Sequence, residues 1–268
     1  MKIKKIISLS LAVIMAMTVL TGCGEAKNST KSNETKKEKK VLKVGMEVSY
    51  PPFEYYEEDG TTITGIDHDL AIAIGDKLGY DVEFVATGWD GIFAGLDKGD
   101  YDVIMSAVTI TPDRVTNYDF SEPYITNYLC LVTLTNGTNQ PKSIEELKGL
   151  QVGYQEETTA DIYLTDYIES KGLKCSPKEY SKMVDAFSDL KNKRLDAILV
   201  DSSVAEQYCA DPATYTMSWK QDDQPEKFGI CFKKDSDLID DFNKALKELE
   251  DEGKLKEILS NYFAEDNE

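Results

Sequence analysis

From Val41 onward the chain alternates strand signals with helix signals, and that alternation constrains its fold more than any other feature. Short apolar runs at 41–47, 82–85, 103–106, 152–154, near Cys175 and at 197–200 read as strands. Between them lie residues at helical spacing: Leu70, Ile74 and Leu78 behind Asp67 as a cap, then Ile92, Phe93 and Leu96, a stretch from Thr159, and Val184, Phe187 and Leu190. Parallel strands need long crossovers, and helical crossovers cover the sheet they connect. The pattern therefore predicts an α/β protein with mainly parallel sheets and helices on both faces. Asp59-Gly60 predicts a hairpin between 53–56 and 61–64. Two helices close the chain, the first with Leu238, Phe242, Ala245 and Leu249 on one face and Gly253 as its stop.

A faint internal echo suggests two lobes of similar build. Leu96-Asp97-Lys98-Gly99-Asp100-Tyr101-Asp102-Val103-Ile104-Met105 aligns with Leu190-Lys191-Asn192-Lys193-Arg194-Leu195-Asp196-Ala197-Ile198-Leu199, and Phe93 and Phe187 fall at the same offset before each. Each echo ends in a strand followed by polar residues, Ser106 to Thr109 in one and Asp201 to Ser203 in the other. In open α/β sheets ligands collect at that end of the strands. A cleft between the lobes would gather both groups.

Residues ahead of the first strand read as an address. Lys2, Lys4 and Lys5 precede an apolar run from Ile6 to Leu20, too short for a comfortable membrane span. It ends in Leu20-Thr21-Gly22-Cys23, which resembles the lipobox of bacterial lipoproteins. That resemblance implies a signal peptide over 1–22, lipidation at Cys23 and a lipid-anchored protein on the extracytoplasmic face of the cell membrane. Residues 24–40 are nearly devoid of apolar side chains and read as a disordered tether. The formal net charge of -19 argues against nucleic acid as a partner. Cys130, Cys175, Cys209 and Cys231 match no zinc spacing, no glycine-rich phosphate loop is present, and neither a metal nor a cofactor is expected. Cys130 and Cys231 sit in apolar runs, where a buried thiol is the default.

The groups gathered at the strand ends suit a small zwitterion. Thr111-Pro112 starts a helix, which puts Arg114 in its first turn, where a guanidinium can fork onto a carboxylate. Thr158 and Thr159 start a second helix, and Asp201 supplies the opposite charge. A cationic fork, two hydroxyls and a separated carboxylate match an α-carboxylate and an α-ammonium.

The markers Val44-Gly45-Met46-Glu47, Tyr50-Pro51-Pro52-Phe53-Glu54, Gly65-Ile66-Asp67-His68-Asp69-Leu70, Gly88-Trp89-Asp90-Gly91, Asp102-Val103-Ile104-Met105-Ser106, Thr109-Ile110-Thr111-Pro112-Asp113-Arg114 and Asp119-Phe120-Ser121-Glu122-Pro123-Tyr124 occur in this order. Over 42–263 the chain resembles the bacterial extracellular solute-binding proteins of polar amino acid ABC transporters, family 3. The resemblance implies a two-lobed periplasmic-binding-protein fold of type II with two hinge crossings, the first near 131–133 and the return near 227–229. It implies a first lobe over 41–130 and 228–268 and a second over 131–227. It also implies a monomer that binds a free amino acid and delivers it to the permease subunits. Carried over, Arg114 holds the ligand carboxylate with Thr109 and the amide of Thr159, while Ser106 lies at the strand end beside them. The Ala107 carbonyl and Asp201 hold the ammonium. Tyr50 and Trp89 wall the pocket, and Glu47 and Gln155 read the side chain. Glu157 stands where the family commonly has glycine. A carboxylate at Glu47 between two aromatic walls favours arginine or lysine, then histidine or glutamine.

Two other classes share this chemistry. A ligand-sensing domain for a signalling receptor would bind the same molecule. A dehydratase-like enzyme on the same fold would need an uncommitted acid or base, and only Glu47 offers one, because the single histidine, His68, falls early in a helix on its solvated face.

Overall fold

The computed structural model describes residues 39–263. The leader expected over 1–22, Cys23 and nearly all of the expected tether lie outside the described residues. Lys40, expected to close the tether, is the first residue of a strand.

The first sheet begins with β1 (Lys40–Met46). A small hairpin follows, β2 (Tyr55–Tyr56) with β3 (Ile63–Thr64), and then α1 (Ile66–Leu78) and β4 (Tyr80–Ala86). Next come α2 (Ile92–Lys98), β5 (Val103–Ile104), α3 (Pro112–Asn117) and β6 (Tyr118–Phe120). A short strand, β7 (Ile125–Asn127), leads to the second sheet. That sheet is built from β8 (Leu129–Leu134), β9 (Gln151–Gln155), α4 (Thr159–Lys171), β10 (Ser176–Tyr180), α5 (Met183–Lys191), β11 (Ala197–Asp201), α6 (Ser202–Cys209) and β12 (Tyr215–Lys220). The chain returns through β13 (Glu226–Phe228) to β14 (Cys231–Lys233), α7 (Ile239–Asp251) and α8 (Lys254–Ser260).

The sheets share one plan. Their orders are β4-β1-β5-β14-β6 and β10-β9-β11-β8-β12. In each, the first three strands are parallel and the fourth runs antiparallel to the third. The echoed segments, ending in β5 and β11, occupy the same third place in the two sheets.

Helices cover both faces, as the pleat requires. Along β5, Val103 packs in one apolar cluster with Leu70, Ile74 and Phe242, while its neighbour Ile104 packs in another with Ile92 and Leu96. Along β11, Ile198 and Val200 go with Phe187 and Leu190, while Ala197 and Leu199 go with Ala160 and Leu164. All five residues of β11 are buried, which explains why this strand reads as an unbroken apolar run rather than an alternating one.

The crossing between the lobes differs from expectation at its first strand. Leu131–Val132–Thr133 lies within β8, flanked by β11 and β12 in the second sheet. The crossing is β7, which pairs antiparallel with the return strand β13, Asn127 opposite Glu226 and Ile125 opposite Phe228. An apolar, fully buried run cannot bridge two lobes in contact with solvent; the short, more polar β7 can. Leu129 and Cys130, expected at the edge of the first lobe, therefore belong to the second sheet.

Two local expectations also shift. Asp67 does not cap α1. Gly65 does so with φ +130, where an added Cβ would lie 2.1 Å from the Phe53 carbonyl oxygen, and Asp67 turns inward. His68 is only partly exposed: its ring lies 4.6 Å from that of Phe84, and Nδ1 is 2.9 Å from Asp69 Oδ1. Among the described residues the four cysteines form no disulfide, and Cys130 and Cys231 are buried.

Candidate functional site

The strands β1, β5, β9 and β11 end toward one cavity between the sheets. All ten residues expected at the ligand site line it: Glu47 after β1, then Tyr50 and Trp89, Ser106, Ala107 and Thr109 after β5, Arg114 on α3, Gln155 ending β9, Thr159 opening α4 and Asp201 ending β11. Glu54 and Thr158 line it too.

Arg114 is fixed as a flat, forked cation. Thr111 caps α3, its side chain accepting from the Arg114 backbone N–H at 3.2 Å, with Pro112 in the first turn. The guanidinium lies 5.3 Å from the ring centres of both Trp89 and Phe93. Nη1 donates to the Thr109 carbonyl at 2.9 Å and Nη2 to the Glu157 carbonyl at 3.4 Å. Burial lowers its pKa, and the Cys231, Glu226 and Asp201 side chains oppose that shift.

Glu157 belongs to the second lobe, so these contacts cross the cleft. Its carbonyl also accepts from Trp89 Nε1 at 3.3 Å. The residue takes φ 58, the left-handed region where glycine is at ease. Its N–H donates to Asp161 Oδ2 at 2.9 Å, and Thr158 caps α4 by accepting from the Asp161 N–H at 3.4 Å. These bonds hold a non-glycine residue in the conformation the loop demands.

Asp201 sits at the opposite wall, 9 % exposed. Its Oδ2 accepts from the Tyr50 hydroxyl, again across the cleft, and its Oδ1 accepts from Asn127 Nδ2 at 2.5 Å. Burial raises its pKa, and the nearby Glu226 carboxylate adds to the rise. The Tyr50 hydroxyl titrates well above its ordinary range because it is buried beside Asp201.

A second acidic group lies deeper. Glu47 accepts from Ser49 Oγ and, at 3.3 Å, from Gln155 Nε2; its pKa is raised by burial against the pull of those bonds and of Lys182. Ser106 Oγ donates to Glu54 Oε1 at 2.7 Å and accepts the Glu47 N–H at 3.0 Å. Glu54 is fully buried and its pKa is raised well above the carboxylate range by burial and by Asp67. Asp67 Oδ2 accepts the Ala107 N–H at 2.7 Å, which steadies Ala107 at φ 47 on the cavity wall. Burial lifts Asp67 to about 6. Glu54 Oε2, Asp67 Oδ1 and the Tyr124 hydroxyl have no hydrogen-bond partner among the described residues.

The cavity thus lines one basic side chain, Arg114, against three acidic ones, Glu47, Glu54 and Asp201. A ligand with one carboxylate and more than one cationic or donor group balances it. Glu54 stood in a sequence marker but carries no signal there of facing the cavity. Asn127 and Glu226, which border Asp201 from the crossing strands, carry none either. Among the described residues no cluster of histidine, cysteine or carboxylate side chains is suited to a metal ion, and no helix is long and apolar enough to cross a membrane.

The sequence profile of the bacterial extracellular solute-binding proteins, family 3, matches residues 42–265. The arginine-binding extracellular protein ArtP of Bacillus subtilis is 33% identical over 253 residues, spanning 91% of this chain and 92% of ArtP. The L-cystine-binding protein TcyA of the same organism is 30% identical over 271 residues, 96% and 97% of the two chains. The solved structure of an ancestral arginine-binding protein bound to arginine superimposes with a TM-score of 0.77 at 34% identity, covering 84% of this chain and 98% of the other.

Proposed function

The chain belongs to the bacterial extracellular solute-binding proteins, family 3, and from that membership we propose that it captures a free polar amino acid between its lobes and delivers it to the permease of an ABC importer. One observation carries the reading: Arg114, stacked on Trp89 and Phe93, faces the buried Asp201 across a cavity whose remaining charges are acidic. The fork takes the α-carboxylate and Asp201 the α-ammonium. Glu47, desolvated and hydrogen-bonded by the neutral side chains of Ser49 and Gln155, then favours a cationic side chain. Arginine or lysine is the preferred ligand, ahead of histidine and glutamine. That two relatives are named for arginine and one for cystine supports the backbone site more than the side-chain choice.

Hinge closure follows from the division of labour. Arg114 belongs to one lobe and Asp201 to the other, so a bound amino acid adds contacts that exist only when the lobes meet. Cys23 is the proposed lipid anchor, which holds the protein at the outer face of the cell membrane. Cys23→Ser should release it into the soluble fraction with binding intact; a variant still membrane-bound after fractionation would mean that the leader is a retained span.

The function is tested by a thermal-shift screen against the twenty amino acids followed by calorimetry. Arginine or lysine should give the largest shift. Glutamate or leucine giving the largest, with no response to basic or amide ligands, overturns the charge argument. The dehydratase reading is not favoured, since Glu47 is engaged by Ser49 and Gln155 and Asp201 by Tyr50 and Asn127.

A further inference from the structure

Asn127 and Glu226 lie opposite one another on the two crossing strands, and both reach the wall where Asp201 sits. Asn127 is fully buried. Its Oδ1 accepts from Ser202 Oγ at 3.3 Å, from the Ser203 N–H at 3.2 Å and from Ser203 Oγ at 3.1 Å. A backbone N–H among those donors fixes which way the amide points. Nδ2 must therefore face the acids, and it donates to Asp201 Oδ1 at 2.5 Å and to Glu226 Oε2 at 3.1 Å. One nitrogen holds two carboxyl groups side by side.

The surroundings stabilise one negative charge there, not two. Asp201 receives one Asn127 N–H and the Tyr50 hydroxyl, and it opens α6. Glu226 receives the other Asn127 N–H. Among the described residues no lysine or arginine makes an ion pair with either. The titratable and charged groups that face the pair are Tyr50 from the loop after β1, with Glu47 beyond it, Arg114 from α3 and the Cys130 thiol from β8. Only Arg114 is cationic, and two of its N–H groups are directed to Thr109 and Glu157. Two adjacent carboxylates in such a place cannot both ionise cheaply, so they titrate as a unit. Burial raises both groups: Glu226 adds to the rise at Asp201, whereas at Glu226 Thr159, Asn127, Asp201 and Arg114 pull the other way.

We propose that Asp201 and Glu226 hold one proton between them across the Asn127 amide, and that the incoming α-ammonium expels it to solvent, so that amino-acid capture releases a proton. The first half stands on the geometry alone; the second rests on the amino-acid reading above. The ammonium, seated against Asp201, supplies the positive charge that the proton supplied before. Glu226 is then a positioning residue: it sets the charge of Asp201 from behind. Because Asn127 and Glu226 are the crossing strands' own residues, the charge of the ligand site is sensed at the hinge.

Two measurements test this separately. In the protein without amino acid, carbon-13 titration of the side-chain carboxyls should show an Asp carboxyl that stays protonated well above the ordinary range. In Glu226→Gln that carboxyl should titrate at least about one pH unit lower, as expected when a neighbouring charge is removed. A wild-type protein with no Asp signal that responds to Glu226→Gln overturns the shared proton. Calorimetry with L-arginine near pH 7.5, repeated in buffers of different ionisation enthalpy, reads the protons released. Roughly half a proton or more per ligand is expected for wild type, and less than half of that for Glu226→Gln. No release from wild type, or equal release from the variant, overturns the coupling to capture. If L-arginine gives no binding heat while the carboxyl still responds to Glu226→Gln, the ligand assignment falls and the shared proton stands.

Discussion

Replacing Arg114 with lysine isolates what the guanidinium fork contributes, because the charge survives and the geometry does not. In the structure the guanidinium plane is set by its contacts with Trp89 and Phe93 and by Nη1 on the Thr109 carbonyl. The N–H groups not spent on the protein are thereby presented as a rigid edge to the cavity. A lysine ammonium is a point donor on a flexible stem and cannot make two parallel bonds to a carboxylate. It retains part of the attraction to the rings, about 0.5–2 kcal/mol. The loss falls on the charge-assisted pair, where truncating one partner typically costs about 2–5 kcal/mol. At about 1.4 kcal/mol per tenfold, that is roughly a thirtyfold to few-thousandfold rise in Kd for the preferred amino acid. Calorimetry on wild type and Arg114→Lys measures it directly. Thermal stability without ligand should change far less, since the bond from Nη2 to Glu157 is long at 3.4 Å. A change in Kd below threefold removes Arg114 from the carboxylate site.

Asp201→Asn should weaken amino-acid binding by at least about thirtyfold, and wild type should bind the deaminated analogue poorly, because each leaves one buried charge without its partner; equal affinity for an amino acid and its analogue refutes the ammonium role. Glu47→Gln should cost arginine or lysine on the order of tenfold, the worth of a charged hydrogen bond over a neutral one, and spare glutamine; a uniform loss across ligands places Glu47 outside side-chain recognition. Asp67, held at about 6 in the fold against an ordinary 3.8, binds a proton in the folded state that the unfolded chain has released. Its contribution is therefore fully present below pH 3.8 and lost as pH rises through about 6, on the order of 3 kcal/mol. Denaturant titrations from pH 4 to 7 should show that loss in wild type relative to Asp67→Asn, and parallel curves would contradict it.

Most of the fold could be read from the chain because its central strands β5 and β11 are buried on both faces and its helices are not. β11, apolar throughout, and α5, with Met183, Ala186, Phe187 and Leu190 on one side, each announce themselves by period. The crossing did not, since Ile125-Thr126-Asn127 is too short to carry a period and its partner Glu226 lies 99 residues away. The crossing that the resemblance implied near 131–133 falls instead within β8, a strand paired on both sides in the second sheet. Asp67 misled as well. An acidic residue ahead of an apolar helix usually caps it, but here Gly65 opens α1 and frees Asp67 to hold Ala107.

The site was legible where function coincides with strand ends, and opaque where it depends on what stands behind them. Arg114, Asp201 and Glu47 follow β5, β11 and β1, so topology alone delivers them to one cavity. Glu54, Asn127 and Glu226 reach the same place through a turn and two crossing strands, with no local pattern to say so. Yet these supporting residues bear on the charge state of the ones that were legible: Asn127 donates to Asp201, and the Glu226 carboxylate adds to the rise of the Asp201 pKa. A cavity lined by one arginine and three acidic side chains suits cations that bring their own carboxylate. The crossing strands belong to that site as well, because Asn127 on β7 and Glu226 on β13 stand directly beside Asp201.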